Sequence, residues 1–157
     1  MNNSFFKAIR QRLIGKLAAI KANPHQIASA YALGFFLGTT PLVGFKVWIA
    51  LLLSTIFRWS RPAAVIGVYH INSLTGPVFY TIAFFIGKLL LGTQVNFVFP
   101  EKITPLAIFN AFMGNGEIFL TLLAGGLLLG IPTSLLLYQS SYRIIKNLQN
   151  QAHATLS

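Results

Sequence analysis

From Ile27 to Phe57 the chain runs 31 residues with one charge, Lys46. A straight crossing of a bilayer takes about 20 residues, so this run is either a steeply tilted helix or two shorter ones. The local grammar favours two. Gly38-Thr39-Thr40-Pro41-Leu42-Val43-Gly44 interrupts the run, because Pro41 lacks an amide donor and restricts Thr40, and two glycines permit a turn. Helices over 28–39 and 45–57 would each rise about 18–20 Å, deep into hydrocarbon but not across it.

The pattern recurs downstream. Arg58-Trp59-Ser60-Arg61-Pro62 reads as a polar, aromatic connection at the lipid headgroup level. Residues 63–71 are apolar, Asn72-Ser73-Leu74-Thr75-Gly76-Pro77 interrupts, and 78–91 are apolar again. Pro62 and Pro77 suit first helical turns. Two successive helix–break–helix units, over 27–57 and 63–91, read as paired re-entrant hairpins.

Residues 118–138 form a charge-free stretch of 21, long enough for one full crossing; Gly125, Gly126, Gly130 and Pro132 within it would let neighbours approach or bend it. Residues 92–116 read as an interfacial loop with a short helix over 106–113, and 142–157 as a polar, disordered tail carrying Arg143 and Lys146. At the other end, Phe6, Ile9, Leu13, Leu17 and Ile20 recur at three- and four-residue steps, one apolar stripe flanked by Lys7, Arg10, Arg12, Lys16 and Lys21. That is the pattern of a basic amphipathic helix lying on an anionic leaflet. The expected fold class is therefore an all-α integral membrane protein: an interfacial helix over 1–24, a membrane domain over 25–141, and the tail.

Composition enters as a check on the solvent. Apolar residues make up 55% and charged residues 9%, against roughly 25% charged in a soluble domain, and residues 28–99 hold only four fixed charges, Lys46, Arg58, Arg61 and Lys88. A net charge of +10 fits nucleic acid or anionic lipid; bases crowded beside a long apolar chain point to lipid. Those bases also favour a cytoplasmic N-terminus. Two re-entrant hairpins plus one crossing would put Arg143 and Lys146 on the opposite side, so either 103–116 insert too or one broken unit spans.

No enzyme constellation is legible. Glu101 and Glu117 have no histidine nearby in sequence, there is no cysteine, and His25, His70 and His153 lack metal-ligand spacing. No metal, other cofactor or catalytic group is expected. Breaks within hydrocarbon instead mark candidate binding positions, since their freed backbone groups must be buried in protein or line a wet cavity. Thr39, Thr40 and Lys46 surround the first break, His70, Asn72, Ser73 and Thr75 the second, with Gly38, Pro41, Gly44, Gly76 and Pro77 making the breaks themselves. Each hydroxyl has a plainer reading as a cap on its own backbone, His70 as a packing residue, and Lys46 as a cation that snorkels to an interface.

The run Ala32-Leu33-Gly34-Phe35-Phe36-Leu37-Gly38-Thr39-Thr40-Pro41-Leu42-Val43-Gly44, followed by Asn72-Ser73-Leu74-Thr75-Gly76-Pro77-Val78-Phe79-Tyr80, resembles the bacterial membrane family named domain of unknown function 2062 over about residues 20–140. The chain departs from that family's usual residues at Lys46 and Ser73. The resemblance implies a small multi-pass inner-membrane protein and no established activity. By architectural analogy alone, the paired breaks also resemble the re-entrant hairpins of DedA-type lipid-carrier transporters. The functional expectation is binding or translocation of an anionic amphiphile, such as a lipid or polyprenyl phosphate. The alternative is an oligomeric scaffold that packs through Gly125, Gly126 and Gly130 and recruits an envelope-synthesis enzyme.

Overall fold

The computed structural model describes residues 23–42, 44–72, 75–96, 104, 107, 110 and 114–156. The expected amphipathic helix over 4–22, Ser73, Glu101 and most of the short helix over 106–113 lie outside the described residues. Within them the fold is all-helical, with five helices and no strand: α1 (Pro24–Thr39), α2 (Lys46–Ile56), α3 (Arg61–His70), α4 (Gly76–Leu91) and α5 (Gly116–Leu156).

The breaks fall where proline and glycine chemistry puts them. Asn23 and Pro24 open α1 rather than merely interrupting the chain: the Asn23 side chain accepts the His25 amide at 3.0 Å, and Pro24 occupies a first-turn position whose amide has no intrahelical partner. Thr40 ends α1 in extended backbone, as the residue before Pro41 must. Gly44 turns the chain at φ +90° into α2. Pro62 and Pro77 lie in the first turns of α3 and α4, and α4 closes at Gly92 in the left-handed conformation.

Contacts along the helices give their directions. The Ser60 amide donates to Gln26 O at 3.4 Å, Gly67 abuts the carbonyl of Tyr31, and Gly38 abuts Val68 and Ile71. Helices α1 and α3 thus run parallel, with both breaks side by side at one end. Between them α2 returns antiparallel, its Lys46 beside Gly38 and its far end by the Ser60 connection.

Against α5 the pairings reverse in order. Thr39 meets Gly126, Phe36 meets Gly130 and His25 meets Tyr138, so α1 lies antiparallel to residues 126–138. Ala83 meets Gly125 and Gly87 meets Thr121, so α4 lies antiparallel to the earlier part of α5. The first unit, α1–α2, is therefore a hairpin as expected. The second departs from expectation: α4 continues in the sense of α3 and flanks the half of α5 that α1 leaves uncovered. The reason is that α4 has its own glycine-lined seat on α5.

Close helix approach depends on that seating. A side chain at Gly34 would strike Ala64 O and one at Gly67 would strike Tyr31 O; Gly87 and Gly125 stand in the same reciprocal relation to Thr121 O and Ala83 O. Where no Cβ intervenes, backbones pack directly and Cα–H groups face carbonyls across the interface.

The buried core is thin and built of small residues, including Ala28, Ala30, Ala50 and Ala64, with Phe35, Tyr80, Phe84 and Leu122 filling the junction of α1, α4 and α5. Large apolar side chains face outward instead, among them Trp48 at 72% and Leu89 at 87% exposure. Helix α5 alone among the described helices is long and apolar enough to cross a membrane, and only 28% of its apolar window is buried. It does not end near Tyr138. Residues 142–156, expected as a disordered tail, continue it as helix, since Arg143, Lys146 and the glutamines are good helix formers with no proline or glycine to stop them.

Candidate functional site

The site is the first break and what closes over it. An α-helix ends with carbonyls that lack amide partners and carry the negative pole of its dipole. At the end of α1, Gly38 O receives two side chains from elsewhere. The Lys46 ammonium, on the first turn of α2, donates to it at 3.3 Å, and the Tyr80 hydroxyl, from α4, donates to it at 3.2 Å. Lys46 also donates to the Tyr80 oxygen at 2.9 Å, and Thr40 O lies 3.5 Å from the same hydroxyl.

This cluster brings α1, α2 and α4 to one point. Its charge is uncompensated: Glu117, the only carboxylate among the described residues, accepts from Thr93 at the start of α5, and Lys46 has no carboxylate partner there. Among the described residues this cation has carbonyl and phenol partners and no counter-charge, which is the electrostatic condition for attracting an anion.

The threonines of the break are occupied locally. Thr39 Oγ1 lies 2.7 Å from Phe36 O in its own helix and 3.2 Å from Gly126 O, pinning the end of α1 to α5. Thr40 Oγ1 donates to Leu37 O at 2.7 Å. Both are buried, and so is Pro41.

The second break is a closed turn. Thr75 N–H donates to Asn72 Oδ1 at 3.2 Å, Asn72 N–H donates to Thr75 Oγ1 at 3.1 Å, and that hydroxyl donates to His70 O at 2.9 Å. Asn72 O then takes the Gly76 amide at 2.6 Å, starting α4. His70 Nδ1 pairs with Tyr31 OH at 2.9 Å, its ring edge-on to Phe35. The two breaks are neighbours, and Phe35, Ile71 and Tyr80 pack together where α1, α3 and α4 meet.

The residue that sequence reasoning missed is Tyr80. Its signal was present: a lone phenol in the apolar run 78–91 needs a hydrogen-bond partner if buried. Nothing local says that the partner lies some forty residues earlier. The glycines expected to serve an oligomer interface are used within the chain, Gly125 against α4 and Gly126 and Gly130 against Thr39 of α1.

Residues 7–154 match the family model described as an uncharacterized protein conserved in bacteria, DUF2062. The chain belongs to this family. No curated protein and no solved structure matches it. DUF2062 is uncharacterised, and membership assigns no chemistry to the break.

Proposed function

We propose that this DUF2062 protein is an integral protein of the bacterial inner membrane that binds an anionic amphiphile, such as a lipid or polyprenyl phosphate, at the Lys46–Tyr80 junction. In this reading α1–α2 enters the bilayer and returns, while α3–α4 and α5 cross it. The outward apolar faces of α2, α4 and α5 support burial in lipid, because a contiguous apolar surface of this extent is rare on soluble proteins. Under that topology the N-terminal bases, Arg58, Arg61, Arg143 and Lys146 share one side, which the positive-inside tendency makes the cytoplasm.

The observation that carries the reading is Lys46 at a helix break, held by Gly38 O and Tyr80 with no carboxylate beside it among the described residues. Irregular backbone at membrane depth is tolerated where it is buried in protein or lines a polar cavity, and an intramembrane cation is expensive unless it serves a partner. Lys46 closes the end of α1, and in this reading its ammonium also pairs with the phosphate. A scaffold that recruits an envelope-synthesis enzyme is the alternative, and no contact favours it now that the α5 glycines are occupied within the chain.

The test is native mass spectrometry of the detergent-extracted protein. A retained phosphate lipid is expected in the wild type and in Lys46→Arg, and lost in Lys46→Met, with unchanged helicity by circular dichroism in all three. A lipid equally retained by a folded Lys46→Met protein, or no phosphate lipid on the wild type, overturns the role.

A further inference from the structure

A second feature lies along α1, from its second turn to the turn before the first break. Between α1 and α5 lies a shallow groove of about 260 Å³, lined by Ser29, Ala32 and Phe36 on one side and Ser134 and Tyr138 on the other, and by Trp59. The α1 residues are spaced at three and four positions, so they line one face, and the distance from Ser29 to Phe36 is about 10 Å. Both of its serine hydroxyls are engaged: Ser29 Oγ lies 3.4 Å from His25 Nδ1, and Ser134 Oγ donates to Ile131 O at 2.9 Å. The rest of the lining is mostly apolar.

The rim has a different chemistry. The His25 ring meets Tyr138 edge-on at 5.8 Å, and Trp59 stacks with Phe57 at 5.0 Å. Arg58 and Arg61, both exposed, flank Trp59 in sequence, and Arg143 and Lys146 follow Tyr138 on the next turns of α5. No carboxylate lies at this end among the described residues. An apolar slot with aromatic rings at its mouth and fixed positive charge beyond them is complementary to a molecule with one hydrocarbon tail segment and an anionic head.

We infer that this groove seats an acyl chain of an anionic phospholipid, with its headgroup held by Arg58 and Arg61. The site rests on the membrane placement proposed above and is distinct from the Lys46 junction. The groove stops at Phe36, one turn before Thr39, so the seated chain runs from the headgroup level toward the first break.

The sequence supplies its own reporter. It contains two tryptophans, Trp48 and Trp59, and Trp48 is 72% exposed on the outer face of α2, so Trp48→Phe leaves Trp59 as the sole indole. The full chain in vesicles would be titrated with acyl-brominated phosphatidylglycerol or acyl-brominated phosphatidylcholine at matched mole fractions. Trp59 quenching should favour the anionic lipid, with a preference that falls by about five-fold for each arginine neutralised in Arg58→Gln and Arg61→Gln. Ser134→Leu, which fills the half-buried wall, should reduce quenching by both lipids.

Equal quenching by the two lipids, or a preference that survives both arginine changes, overturns the inference. So does unaltered quenching in Ser134→Leu. Trp59 quenching reads the groove, whereas lipid mass in Lys46 variants reads the break, so either site can fail while the other stands.

Discussion

Lys46 and Tyr80 show how two ordinary polar groups become consequential at a helix end. The phenol donates to Gly38 O and accepts from Lys46, so it completes both the α1 terminus and the coordination of the ammonium. Replacing it by phenylalanine keeps the packed ring and removes only the oxygen. Tyr80→Phe should lower stability by about 1 kcal/mol, measured as thermal unfolding in detergent, whereas Tyr69→Phe, on an exposed side chain, should change it little. Matching midpoints for the two variants would show that the phenol contributes nothing. Thr39, Thr40 and Lys46 were legible as a group because a break in an apolar run draws attention to its polar neighbours. Tyr80 was not, because its contact with Gly38 spans 42 positions, and residue type alone names a need for a partner rather than the partner.

At the scale of elements, helix boundaries follow local rules closely. Proline opens α1, α3 and α4, and the two breaks separate helices within a few residues of the positions that the apolar runs mark out. How those helices meet depends on glycine. Gly125→Leu would drive a side chain into Ala83 O, a backbone atom that cannot rotate away, and should destabilise the fold by about 1–3 kcal/mol. Gly116→Ala, with open space around it, should stay within about 0.5 kcal/mol. Equal unfolding midpoints for the two would refute the close α4–α5 packing. A glycine in an apolar run reads equally well as an oligomer contact or an internal one, and the reciprocal placement of Gly87 and Gly125 decides for the internal one.

For the whole molecule, the consequence is topology. In the proposed membrane placement, one hairpin and two crossings would put the Ser60 connection and Asn150 on the same side, and Gln94, beyond α4, on the other. Because the chain has no cysteine, single substitutions can be read without a background. Ser60→Cys and Asn150→Cys should react with a membrane-impermeant maleimide only when the cytoplasmic face is opened, and Gln94→Cys should react in intact spheroplasts. Labelling of Gln94 and Asn150 from one face would mean that α5 does not cross, and the proposed placement would fall. Reaction of Ser60 from the face that labels Gln94 would remove the α1–α2 hairpin.

By itself the sequence determined the helical class, the solvent-avoiding composition, the positions of both breaks and the polar residues around the first. These follow from proline's missing amide, glycine's missing Cβ and the length of an apolar run, all properties of a few consecutive residues. Tertiary structure alone decided that α3 and α4 continue in one sense while α1 and α2 fold back, that Tyr80 completes the Lys46 junction, and that a groove opens between α1 and α5. Those outcomes depend on which helix seats against which. That choice is made by backbone contacts between residues dozens of positions apart, where no local pattern specifies the partner.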